Sequence, residues 1–88
     1  MIKNDYTITA PQGLHARPAT TLIRITKNYK SAFSLQKGAK TIKLNSMLNI
    51  LSMTIKSGET ITVIVEGEDE AEAALAIDVF FKQELKDL

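Results

Sequence analysis

The sequence predicts an α+β fold of two layers, a small sheet with helices packed against it, from two observations. Apolar residues alternate at every second position in several short segments and recur every third or fourth position in others, so strands and helices are interleaved. Threonine and lysine fill the alternate positions of the strand-like segments, which suits a mixed or antiparallel sheet with one wet face and one covered by helices. At 88 residues, without repeat, linker or low-complexity tract, the chain reads as one domain over 1–88.

The first strand is expected over Tyr6–Ala10, where Tyr6, Ile8 and Ala10 alternate with Thr7 and Thr9 until Pro11 and Gly13 interrupt. From Ala16 to Asn28 the period becomes helical. Ala19, Leu22, Ile23 and Thr26 fall on one face, and Arg17, Thr20, Thr21, Arg24 and Asn28 on the other. Ala32 to Leu44 reads as a hairpin, with Phe33, Leu35, Ile42 and Leu44 alternating about a Lys37-Gly38 turn. A brief helix follows over Met47–Met53, opened by Ser46 in the N-cap position. Ser57-Gly58 then turns into a strand, Thr60–Glu66, that aims Ile61, Val63 and Val65 inward. The last helix opens with Asp69 and Glu72 in the spacing of a capping box, and Ala73, Ala74, Ile77, Phe80, Phe81 and Leu85 form its buried stripe. Lys82 and Lys86 lie near its negative end.

Composition narrows the function classes. No apolar run approaches the ~18 residues of a membrane span, and the opening Met-Ile-Lys-Asn-Asp-Tyr lacks the apolar core of a secretory signal, so a cytoplasmic location without membrane insertion is expected. The absence of cysteine removes disulfide frameworks and thiolate metal sites. A single histidine gives no metal cluster, and a net charge of +1 with dispersed lysines and arginines argues against nucleic acid.

That histidine stands where a turn hands over to a helix, in Pro11-Gln12-Gly13-Leu14-His15-Ala16-Arg17-Pro18-Ala19. A helix start leaves its first N–H groups without partners and carries the positive end of the dipole, which makes an anion site. Pro18 is tolerated there, and Arg17 adds a planar cation suited to phosphate oxygens. An imidazole nitrogen is a nucleophile near neutral pH and a good leaving group afterwards. A lone histidine at a helix start is nonetheless most often a cap or surface residue, so the chemistry alone favours the plainer interpretation.

The run Gly13-Leu14-His15-Ala16-Arg17-Pro18-Ala19 resembles, at all seven positions, the active-site motif of HPr, the histidine-containing phosphocarrier of the phosphoenolpyruvate-dependent sugar phosphotransferase system. Length, element order and the Ser46 segment extend the resemblance over essentially the whole chain. It implies an open-faced sandwich with a four-stranded antiparallel sheet and three helices on one face. It also implies phosphorylation of His15 on Nδ1 by enzyme I, support of the phosphoryl group by Arg17, and transfer to sugar-specific enzyme IIA acceptors. No cofactor or metal is implied, and the protein is expected to be a monomer. Gln12 departs from the small polar residue common at that place.

Thr20, Arg24 and the flanking Lys27 give the first helix a polar, basic face that would draw acidic partners toward His15, although such faces are usually only solvated. Met47, Leu48, Ile50, Leu51 and Met53 occupy more of the short helix than one sheet can cover, so some must be exposed. The resemblance implies partner contacts for Met47, Leu48 and Leu51. Ser46 is explained as a cap. In many Gram-positive HPr proteins the corresponding serine is phosphorylated by a serine kinase, giving a corepressor that partners a catabolite repressor. Here Asn45 precedes it where lysine is usual, and Asn49 replaces a glycine. The Asn45-Ser46 pair is similar to the nitrogen-branch relative of HPr, so a regulatory role acting through protein binding stands as the alternative. The catabolite-repression paralogue of the family has another residue in place of the histidine, which favours carriage for this chain.

Overall fold

The computed structural model describes residues 1–88. Its elements follow in the order β1 (Ile2–Thr7), α1 (Ala16–Thr26), β2 (Ala32–Lys37), β3 (Lys40–Lys43), α2 (Met47–Ser52), β4 (Thr60–Glu66) and α3 (Glu70–Val79). The strands form one antiparallel sheet in the order β1-β4-β2-β3. The fold is thus the open-faced, four-stranded sandwich with three helices.

Strand β4 lies inside the sheet, so its alternation decides both faces. Ile61, Val63 and Val65 are buried, with Val63 opposite Asn4 of β1 and Leu35 of β2. Thr60 and Thr62 turn to the open face, where they meet Thr7 and Asp5 across the strand pair. Helices cover the inner face with Leu22, Ile50, Ala73, Ile77 and Phe80, all essentially without solvent exposure. Burial of a Leu, Ile or Phe side chain is worth roughly 1.5–3 kcal/mol, and this layer supplies the stability that disulfides cannot.

Three expectations are corrected. The first strand is Ile2–Thr7 rather than Tyr6–Ala10, because it pairs with the whole of β4, from Ile2 opposite Val65 to Thr7 opposite Thr60. Asn4 interrupts the apolar alternation and hides that start. Beyond Thr7 the chain keeps two sheet-like bonds, Ile8 N–H to Glu59 O and Gly58 N–H to Ile8 O, both 2.8 Å, before it turns. Ile8 and Ala10 are buried, so their alternation reported burial without a strand.

The first helix ends at Thr26 rather than Asn28. Asn28 N–H donates to Ile25 O at 3.1 Å and Tyr29 N–H to Thr26 O at 3.3 Å, tighter bonds that close the helix before β2. Thr26 is half-buried rather than a core residue, and its hydroxyl donates to Ile23 O at 2.7 Å.

The expected capping box is absent. Asp69 occupies the cap position of α3 but makes no side-chain cap, and Glu72 is exposed. The Asp69 carboxylate instead accepts from Lys30 N–H at 2.7 Å, from Ser31 N–H at 2.9 Å and from the Ser31 hydroxyl. These donors, the Ser31 hydroxyl foremost, hold its pKa below the ordinary value. A partner nearly forty positions away in sequence cannot be read from helix-start spacing. Glu70 takes the local role, accepting from Gly67 N–H at 3.3 Å and pairing with the N-terminal ammonium at 2.7 Å. The helix itself stops at Val79, widening into a π turn over Phe80–Glu84 and a 3-10 turn over Leu85–Asp87. The wider turn lets adjacent Phe80 and Phe81 both enter the core, where Phe81 stacks on Tyr6 at 4.5 Å between centroids. Lys82 pairs with Asp78 at 3.3 Å, one turn back.

Candidate functional site

A pinned loop delivers His15 to the start of α1. Gly13 has φ of +71°, its N–H donates to Ala10 O at 2.9 Å, and Leu14 N–H donates to Ile55 O at 3.0 Å. A Cβ on Gly13 would lie 2.3 Å from Ile55 O, so only glycine lets the two backbones approach this closely. Leu14 is buried and anchors the turn. Spacing alone gave no signal for that approach.

His15 is the N-cap residue, with extended backbone, and its carbonyl accepts the first helical bond from Ala19 N–H at 3.0 Å. Its ring does not cap the helix. The N–H groups of Ala16 and Arg17 therefore have no acceptor within the protein, and Pro18 has none to offer. The first turn carries no acidic residue. Ring nitrogen Nε2 is enclosed and unpartnered, while Nδ1, also without a hydrogen bond, is not enclosed. Arg17 is exposed and forms no ion pair. A nucleophilic nitrogen and two free donors thus meet at the positive end of a helix whose first turn also carries the unpaired Arg17, an arrangement able to hold an oxyanion beside imidazole.

The remaining residues singled out from the sequence divide into near and far. Thr20 is exposed next to this end, and its hydroxyl donates to Ala16 O at 2.9 Å and toward Met47 Sδ at 3.2 Å, joining α1 to α2. No sequence spacing signals that contact, because it spans two helices. Leu48 and Leu51 are 79% and 38% exposed, whereas Ile50 and Met53 are buried and Met47 is half-buried. The expected apolar excess on α2 is therefore real and falls on the two leucines. Ser46 starts α2 and accepts from Asn49 N–H at 3.3 Å, as a cap. Arg24 and Lys27 lie in the last turn and at the C-cap of α1. Eleven residues of helix span roughly 16 Å, so Lys27 belongs to the opposite end from His15.

A family model described as PTS HPr component phosphorylation site matches residues 2–83. The HPr-like protein Crh of Halalkalibacterium halodurans is 33% identical over 84 residues, covering 96% of this chain and 100% of the relative. Among solved structures, the histidine-containing phosphocarrier protein of Mycoplasma matches with a TM-score of 0.90 and 32% identity, over 97% of each chain. Crh of Bacillus subtilis, solved as a domain-swapped dimer, matches with a TM-score of 0.76 and 27% identity over 97% of this chain and 98% of its own. No helix is long and apolar enough to cross a membrane. Sequence family, relatives and fold agree over nearly the whole chain, and the chain belongs to the PTS HPr family.

Proposed function

We propose that this chain is a phosphocarrier of the phosphotransferase system, accepting a phosphoryl group on His15 from phosphorylated enzyme I and passing it to sugar-specific enzyme IIA components. The observation that carries the reading is the unpartnered helix start around His15, with Nδ1 open, Nε2 enclosed and the donors of Ala16 and Arg17 free. The Nδ1 lone pair attacks the phosphorus of the phosphoryl group carried by enzyme I. The new N–P bond forms as the bond from phosphorus to the donor breaks, and the donor group leaves with that electron pair. The free N–H groups and the Arg17 guanidinium take the equatorial oxygens, where charge gathers during transfer. Onward transfer reverses these roles, with His15 as leaving group. No acid, metal or cofactor of the chain enters the step.

Thr20, Arg24, Lys27, Met47, Leu48 and Leu51 form the docking surface in this reading, basic on α1 and apolar on α2. The chain works as a cytoplasmic monomer that meets its partners in turn. Phosphoenolpyruvate with enzyme I is the test. Intact mass and phosphorus NMR are expected to show one acid-labile phosphoryl group on the wild type and none on His15→Ala, with the fold retained in both. Arg17→Ala is expected to keep the fold and slow transfer. A wild type that stays unmodified, or carries the group elsewhere, removes the reading, and equal rates with and without Arg17 remove that residue's role.

A second reading is favoured by the 33% identity to the HPr-like protein Crh. In it the output is regulatory, through phosphorylation of Ser46 by a serine kinase and binding to a catabolite repressor. A phosphoryl group acquired from ATP and kinase on Ser46, with His15 inert to enzyme I, would select it.

A further inference from the structure

We propose that a cavity at the far end of α1 binds a small organic phosphomonoester. The cavity holds about 310 Å³ between the last turn of α1, the start of β2 and the exit of β3 toward α2. That volume lies at the lower end of the range for small-ligand sites. It does not include His15, and the inference stands whether or not His15 carries a phosphoryl group.

Charge selects the ligand class. Lys27 and Lys43 line the cavity, no carboxylate does, and neither lysine forms an ion pair. Two ammonium groups without a counter-charge match a phosphomonoester, which bears about −1.5 to −2 charges near neutral pH, better than a single carboxylate. The lining also offers unused donors. The Ser34 hydroxyl makes no hydrogen bond within the protein. Leu44 N–H donates to Phe33 O at 2.9 Å, yet no reciprocal bond forms from Phe33 N–H, which leaves β2 on the same side. Sheet pairing explains the gap: β3 ends at Lys43, opposite Ser34, so the first residues of β2 have no strand beyond them.

The apolar part of the lining excludes a bare ion as the best occupant. Ile23, Phe33 and Leu44 share the cavity with the polar groups, and an inorganic anion would leave them uncovered. A phosphate on a small, flat or cyclic body satisfies both halves.

The test is titration of the isotope-labelled full chain, followed by amide NMR, with phenyl phosphate, inorganic phosphate and phenol as probes. Phenyl phosphate is expected to shift Phe33, Ser34 and Leu44 saturably, and each of the other two probes to bind at least about tenfold more weakly. Lys43→Gln is expected to weaken phenyl phosphate about tenfold, the value of one charge-assisted contact. Lys40→Gln removes the same charge from β3 outside the cavity and is expected to change binding less than about twofold. The proposal is overturned if no saturable shift occurs at these amides, if the shifts centre on Ala16 and Arg17, if inorganic phosphate or phenol binds as well as phenyl phosphate, or if the two lysine variants weaken binding equally. Circular dichroism of both variants confirms that each remains folded.

Discussion

The carboxylates that tie α3 to the rest of the fold are engaged, whereas the cations displayed on α1 are not. Asp69 holds the Lys30–Ser31 turn, Glu70 holds the N-terminus and Gly67, and Asp78 receives the Tyr6 hydroxyl and Lys82. Across the molecule, Arg17, Arg24 and Lys27 have no acid partner, two helix-start N–H groups have no acceptor, and Leu48 stands mostly in water. Satisfied groups hold the fold together, and unsatisfied ones leave binding capacity in hand. The difference teaches where a change should be felt as lost stability and where as lost recognition, and that division can be broken by measurement.

The largest effect is expected in the loop that delivers His15 to α1. Gly13→Ala combines a left-handed backbone, costing a non-glycine residue about 1–2 kcal/mol, with a contact against Ile55 O that must be relieved at about 1–3 kcal/mol. Urea unfolding is expected to show a loss of about 2–5 kcal/mol. A chain of this size loses about 4–8 °C in Tm per kcal/mol, so a thermal scan gives a second check. Unchanged stability would mean that the loop before His15 is not pinned, and that the site region is soft in its backbone as well as in its polar groups.

Asp69→Asn comes next, since three donors converge on one carboxylate. The asparagine oxygen can still accept on one side, but its amide nitrogen cannot replace the carboxylate oxygen that faces the other, Lys30 N–H or the Ser31 pair of donors, so the turn into β2 loosens and the urea midpoint falls. The pH dependence carries the sign. Hydrogen bonds lower the folded-state pKa of Asp69 from its ordinary 3.8, so its contribution is present above that value and is lost as pH falls through the folded-state value. Glu70 and Glu59 are lowered for like reasons and lose their contributions in the same direction. Stability of the wild type is expected to decline in acid, and the Asp69→Asn curve to be lower at neutral pH and flatter below it. Parallel curves would remove Asp69 from the acid response.

Tyr6→Phe probes the same region from the alkaline side. The hydroxyl donates to Asp78 at 3.1 Å, and burial, followed by that carboxylate, pushes its pKa up to about 12. A tyrosine that stays neutral longer when folded contributes up to its ordinary value of 10 and loses that contribution as pH rises toward 12. Tyr6→Phe is expected to cost about 1 kcal/mol at neutral pH and to remove the alkaline decline, while leaving phosphoryl acceptance at the wild-type rate. A slowed transfer would break the separation between the two regions.

The sequence carried the fold through periodicity, and it failed where a long-range partner overruled local spacing. Val63 and its neighbours announce a half-buried strand because alternation is a property of the segment itself. Asp69 looks like a cap because cap spacing is local too, yet its donors arrive from the turn before β2. Phe80 and Phe81 read as one helical stripe, and both are buried, yet the chain reaches that burial through a π turn that the stripe does not signal. The site was legible for a related reason: His15, Arg17 and Pro18 are contiguous, so their meeting at one helix start needs no tertiary knowledge. The Thr20–Met47 contact and the cavity between Lys27 and Lys43 join separate elements and leave no trace in spacing.

Ser46→Asp is the smallest expected change in stability and sharpens the comparison most, because it puts stability and recognition in opposition at one residue. The serine oxygen already accepts from Asn49 N–H, and aspartate keeps that acceptor while adding a negative charge at the positive end of α2. An exposed anion there contributes about 0.3–1 kcal/mol, so the thermal midpoint should rise slightly or hold. The same charge adjoins Met47 and the exposed Leu48, and it must be desolvated or opposed when a partner covers that helix start. Phosphorylation of His15 by enzyme I is therefore expected to slow, measured as the initial rate on folded protein. If the variant unfolds, Ser46 is a structural cap whose geometry aspartate cannot reproduce. If it transfers at the wild-type rate, α2 lies outside the docking contact, and the unsatisfied region of the molecule shrinks to the start of α1.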